Sequence, residues 1–120
     1  RAGAEQLAAV LREIGRTASI VPVGAGLHLK SGVSHIGGGL LLMTGAFADA
    51  EAFAGYDRVI VPDAEADAAN ALWVNGTLLM PAGFPETRKR VRDRGRTVIE
   101  VEMGEARKMD GGLSCLSIRF

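Results

Sequence analysis

Hydrophobic residues recur at helical spacing at the start of this chain and then change to short runs divided by glycine, proline and Asn-Gly. Leu7, Val10, Leu11 and Ile14 lie on one helical face and predict an amphipathic helix over residues 4–14, ended by Gly15. The runs that follow predict buried strands at 19–23 and 27–30. After them a hairpin of 33–36 with 40–44 is turned by Gly37-Gly38-Gly39. A helix around 49–54 and a strand over 58–62 come next. Residues 71–74 and 77–80 flank Asn75-Gly76, a pair that accepts the positive φ of a tight turn, and predict a second hairpin. Pro85 near the start and Gly95 past the end bound a helix over 85–94, before a strand at 97–102. A last strand is expected to carry Cys115.

The order strand, strand, helix, strand thus occurs twice. Leu41-Leu42-Met43 returns as Leu78-Leu79-Met80 and Phe47 as Phe84, each 37 residues on, while Val59-Ile60 returns as Val98-Ile99 at 39. A repeat of roughly 40 residues marks a block that cannot bury its own apolar face. Two blocks plus fragments therefore make a partial array, with open sheet edges and one apolar flank that another segment must cover.

Composition narrows the function classes. The chain has 120 residues, a one-domain length, and 14 basic against 14 acidic side chains, so no charge excess calls for nucleic acid or a membrane surface as partner. The basic run Arg88-Lys89-Arg90 with Arg92, Arg94 and Arg96 is interrupted by Glu86 and Asp93 and lacks an aromatic platform, which makes it a solvated helix face. The triple glycine precedes an apolar strand and not a Lys-Ser or Lys-Thr helix start, so it is a turn and not a phosphate cradle. No apolar run approaches bilayer length. One cysteine and two histidines fall short of a closed zinc site, and no metal or cofactor is expected. A single cysteine excludes an internal disulfide and fits a reducing, cytoplasmic compartment. The chain begins inside a helical pattern without methionine, as a piece of something longer would.

Candidate chemistry concentrates in two residues. Cys115 follows Asp110-Gly111-Gly112-Leu113-Ser114, and His28 lies 87 residues earlier between Leu27 and Leu29. A thiol and an imidazole are the minimum equipment for covalent catalysis by a thiolate with an acid/base partner. From these residues alone two plainer readings stay open: Cys115 as a small buried hydrophobe and His28 as a core imidazole. His35, before the glycine turn, reads as a surface residue, and Trp73 as packing.

Three motifs together, Leu27-His28-Leu29-Lys30-Ser31-Gly32-Val33-Ser34, Val61-Pro62-Asp63 with Ala68-Ala69-Asn70, and Lys108-Met109-Asp110-Gly111-Gly112-Leu113-Ser114-Cys115, resemble the dimethylarginine dimethylaminohydrolase family. The resemblance runs along nearly the whole chain. It implies an α/β fold, part of a five-bladed α/β propeller (pentein) built of ββαβ modules, with about two complete modules plus fragments. Residues 1–120 would be the C-terminal part of a single catalytic domain whose N-terminal modules are absent from this chain. Cys115 would be the nucleophile on the guanidinium carbon of a methylated arginine and His28 the acid and base. Asp110 and the main-chain groups near Met109 would wall the pocket. The family's carboxylates and arginines that orient the substrate precede this segment, so the expected partners are a small guanidinium substrate and the N-terminal half or a complementary chain. Arginine deiminase and other guanidine-modifying penteins are the alternatives within the enzyme class. A non-catalytic partner-binding fragment is the alternative outside it.

Overall fold

A computed structural model describes residues 1–24 and 28–118. Helix α1 (Ala2–Glu13) forms as its spacing predicts, and its stripe of Leu7, Val10 and Ile14 faces solvent. Residues 19–23 are not a strand: among the described residues no sheet edge reaches them, and a segment without a ladder partner has no regular structure to join. Of the strand expected at 27–30, Leu27 lies outside the described residues. His28 is extended, and Leu29–Gly32 forms a single helical turn, α2, that leads the chain into β1.

Two hairpins, each extended by a parallel third strand, then build the molecule. Strands β1 (Val33–His35), β2 (Leu40–Met43) and β3 (Asp57–Ile60) form one sheet in that order, and β4 (Leu72–Val74), β5 (Thr77–Pro81) and β6 (Thr97–Val101) form the other. In both sheets the first pairing is antiparallel and the second parallel. Gly37, Gly38 and Gly39 all take positive φ, a conformation that side chains resist, and a Cβ at Gly37 would meet the Trp73 ring at 2.6 Å. Asn75 and Gly76 turn the second hairpin with φ of 48° and 78°. The repeat is real but shifted in its third strand. Leu42 pairs with Val59 and Leu79 with Ile99, so Val59 corresponds to Ile99, 40 residues on (99 − 59), and not to Val98.

The connections differ between modules. The second holds α3 (Pro85–Asp93), whereas the first has 3₁₀ turns at Gly45–Phe47 and Glu51–Phe53 where one helix is expected. Ala50 is extended between them, which breaks the i→i+4 ladder, and the Arg58 guanidinium donates to the carbonyls of Ala48 and Phe53, the latter also accepting the Tyr56 N–H at 3.1 Å. A 3₁₀ segment at Asp63–Ala69 and a short helix α4 (Gly104–Arg107) have no counterpart in the sequence expectations.

Alternation along β2 divides the core. Leu41 and Met43 meet Phe47 and Phe53 on one face. Leu40 and Leu42, with Ile36, Val59 and Val61, meet Leu78, Met80, Phe84 and Val91 of the second module on the other. The second sheet's face equivalent to Leu42 and Val59 carries Leu79 and Ile99, and Ile99 is 53% exposed. That is the uncovered flank the repeat predicts. Among the described residues no helix is long and apolar enough to cross a membrane.

The basic run is engaged locally. Arg88 pairs with Glu100 at 2.6 Å, Lys89 with Asp93 at 2.7 Å, and Arg90 with Glu86 at 3.0 Å, while Arg94 reaches Asp57 at 3.4 Å. Arg96 stacks over Trp73 and donates to the Gly37 carbonyl at 2.8 Å, joining the first hairpin turn to the second sheet. At the start of α3, the Glu65 carboxylate accepts the N–H groups of Glu86 at 3.1 Å and Thr87 at 2.7 Å, a long-range N-terminal cap. Burial works upward on the Glu65 pKa but is outweighed by the hydrogen bonds from Thr87 and Glu86 with Arg90 nearby, so it lies below the ordinary glutamate value. A carboxylate depressed in the folded state stabilises fully above its unfolded pKa and loses that contribution as pH falls through the folded one. Glu65→Ala is expected to cost about 1 kcal/mol near pH 7. Denaturant melts at descending pH should bring wild type and variant together in acid.

Candidate active site

Three segments converge on one open cavity of about 790 Å³. His28, at the entry to α2, and Ser31 form one wall; Asp67 and Asn70, at the end of the 3₁₀ segment, form the next. Arg107, Lys108, Asp110, Gly112 and Cys115 form the third. The cavity thus brings the imidazole-bearing and thiol-bearing segments to one space. Both residues are exposed in this chain.

Cys115 is on a turn and not on the expected strand. Its N–H and that of Leu116 both donate to the Gly112 carbonyl, at 3.0 and 3.2 Å, so local bonds replace a sheet ladder. The Gly112 N–H directed at the sulfur holds the thiol below its ordinary pKa, with Lys30 and Ser114 assisting, against partial desolvation. More of the nucleophilic thiolate is then present at neutral pH. Asp110 lines the cavity with a φ of 57°, a left-handed conformation that aspartate tolerates better than most residues. Met109 is not brought to the cavity by its side chain, which is 84% exposed; Lys108 and Asp110 on either side of it line the wall.

Hydrogen bonds join the three sequence motifs. The Ser34 hydroxyl, buried on β1, donates to the Ala69 carbonyl at 2.6 Å and accepts the Ala71 N–H at 3.1 Å. Between those two residues, Asn70 accepts the Ser114 N–H on its Oδ1 at 3.1 Å. Arg107 pairs with Asp67 and lies over the Phe84 ring. Asp67, Asn70 and Arg107 line this cavity and Ser34 holds the backbone on both sides of Asn70; sequence reasoning assigned none of them a role. Asn70 stood within a quoted motif, but its partner is 44 residues away and no local pattern announces it. Among the described residues no three His, Cys, Asp or Glu side chains converge as for a metal ion.

No family model matches the chain. It is 42% identical over 118 residues, 98% of its length, to N(G),N(G)-dimethylarginine dimethylaminohydrolase of Pseudomonas aeruginosa, and covers 46% of that protein. The enzyme of the same name from Streptomyces coelicolor is 32% identical over 99% of the chain, which covers 45% of it. A solved structure of the Pseudomonas aeruginosa protein, a cysteine-to-serine mutant complexed with citrulline, superposes with a TM-score of 0.94 at 41% identity over 98% of this chain and 46% of that one. The chain therefore spans about half the length of the curated relatives it matches. By sequence and by fold it belongs with the dimethylarginine dimethylaminohydrolases, as a two-module part of their α/β propeller.

Proposed function

We propose that this chain is the C-terminal part of a single catalytic domain that hydrolyses the guanidinium group of N-omega-methylated arginine to citrulline and methylamine or dimethylamine. The observation that carries this reading is the single cavity lined by His28 and by a Cys115 thiol held below its ordinary pKa. The thiolate attacks the guanidinium carbon, a bound cation that itself favours the ionised sulfur. The protonated His28 imidazole gives its proton to the departing amine nitrogen as the C–N bond breaks, leaving a thiouronium on Cys115. Neutral His28 then takes one proton from water as its oxygen attacks the same carbon, and the C–S bond breaks to release citrulline and the thiolate, the remaining hydroxyl proton passing to the departed, basic amine. Asp110 accepts a guanidinium hydrogen bond, and main-chain groups at Met109 complete the wall.

The N-terminal half, in the same polypeptide or as a separate chain, covers the Leu79 and Ile99 face and supplies the groups that orient the substrate. An enzyme working through a free, accessible thiol belongs in a reducing, cytoplasmic compartment. The test is to combine the chain with that half and measure citrulline from dimethylarginine, with arginine as the competing substrate. The combined protein should form citrulline from dimethylarginine. The chain alone should be slower by about 10³-fold or more, since lost positioning removes several kcal/mol of catalytic advantage. Full activity of the chain alone would contradict the dependence on the other half. An inactive assembly would contradict the hydrolase reading, and a preference for arginine would move it to the deiminase alternative.

A further inference from the structure

Asn70 lines the cavity, and its carboxamide is bonded to the loop that carries the sulfur. It ends the 3₁₀ segment with φ −84° and ψ 80°, its side chain is nearly buried, and its amide lies against the loop that carries the sulfur. Oδ1 accepts the Ser114 N–H at 3.1 Å, and a Cβ at Gly112 would overlap the Asn70 amide nitrogen. Gly112 is therefore glycine because the carboxamide needs that space. Gly112 is also the hub of the turn, since its carbonyl accepts the N–H groups of both Cys115 and Leu116. Whatever fixes Gly112 and Ser114 fixes the sulfur.

Behind Asn70 stands Ser34, whose hydroxyl clamps the backbone on both sides of it, at the Ala69 carbonyl and the Ala71 N–H. Ser34 lies on β1, which α2 joins directly to His28. One path of two side chains thus runs from the strand after the imidazole to the turn before the thiol. The Arg107–Asp67 pair ties the 3₁₀ segment that Asn70 ends to α4, which precedes the turn. We propose that Asn70, seated by Ser34, is the positioning residue for the Cys115 thiol, latching the Gly112–Cys115 turn so that the sulfur faces the cavity it shares with His28. The role of the thiol in catalysis rests on the function proposed above; the latch itself does not.

The charged groups around the sulfur are His28 and Lys30 at α2, Asp67 of the 3₁₀ segment, and Arg107, Lys108 and Asp110 beyond α4. Substitution at position 70 leaves all of them in place. The experiment is the pH dependence of Cys115 alkylation by iodoacetamide on the 120-residue chain, for wild type, Asn70→Ala and Asn70→Asp, with melting temperatures. Loss of the latch in Asn70→Ala frees Gly112 from the sulfur, and the alkylation midpoint should rise by about one pH unit, a fall of about tenfold in rate below it. Asn70→Asp keeps an acceptor for Ser114 and so keeps the fold should the alanine variant fail. Its added negative charge should also raise the midpoint. A midpoint within about 0.2 unit of wild type in folded Asn70→Ala or, should that variant not fold, in Ser34→Ala, which removes the seat, with only a lower melting temperature, would overturn the proposal and make Asn70 merely structural. In the combined protein, Asn70→Ala should lower kcat by about 10²-fold with little change in KM. If the unsubstituted assembly forms no citrulline while the midpoints shift, the hydrolase reading falls and the latch stands. If Asn70→Ala turns over with undiminished kcat, the latch falls.

Discussion

Cys115→Ser is expected to reduce citrulline formation by the combined protein about 10⁴-fold or more, the scale on which removal of a covalent nucleophile acts. The sulfur is exposed on a turn, and the groups around it act by favouring an anion: the Gly112 N–H and the Lys30 ammonium. Those groups lower the pKa of a thiol, but a serine hydroxyl ionises far higher and the same help leaves it protonated. The turn itself should be intact, because it is closed by main-chain bonds to the Gly112 carbonyl and by Asn70 on Ser114, none of which involves sulfur. Initial rates at neutral pH with a parallel melting curve would check this. Retention of activity within about tenfold by a properly folded serine variant would remove covalent catalysis from the account.

The second large effect concerns the seam between modules. Leu78 has no exposed surface and lies on β5 facing the first sheet, in a cluster with Leu40, Leu42, Val59, Met80 and Val91. Leu78→Ala should destabilise the chain by about 3 kcal/mol, the lost transfer free energy plus the cavity left behind, because sheets held on both sides cannot collapse fully onto the void. The consequence reaches the site. His28 is attached to the first sheet through α2 and β1, whereas Cys115 follows β6 and α4 of the second module, so the same apolar seam holds the two groups at one cavity. Denaturant unfolding would give the loss directly. A change below about 1 kcal/mol would mean that the seam packs less tightly than its burial implies.

What the chain discloses in sequence is mostly what is decided locally. Asn75-Gly76 and the three consecutive glycines accept the positive φ of a tight turn where most residues resist it, and both hairpins stand where those residues place them. Pro85 and Gly95 bound α3 for similarly local reasons. The repeat was legible because each module presents its apolar positions to the next one. Its third strand was misaligned by one residue because Val98 and Ile99 are chemically alike, and only their pairing separates the face towards the core from the open one. The extended reading of residues 19–23 and of the Cys115 segment failed for one reason: a strand is made by its partner, and neither segment has one among the described residues. Of the site, the thiol and imidazole could be named by their chemistry. Ser34 and Asn70 could not, since their bonds cross 35 to 44 residues and a buried serine or asparagine has no sequence signature.

The central claim is that His28 and Cys115 act on one guanidinium carbon from two sides of a shared cavity. A crystal structure of the combined protein with citrulline bound tests it most directly. The account predicts the ureido carbon within about 3.5 Å of the Cys115 sulfur, with the His28 imidazole beside the nitrogen position that the departing amine vacates. Citrulline bound elsewhere, or a covering half that separates the imidazole from the sulfur, would contradict it.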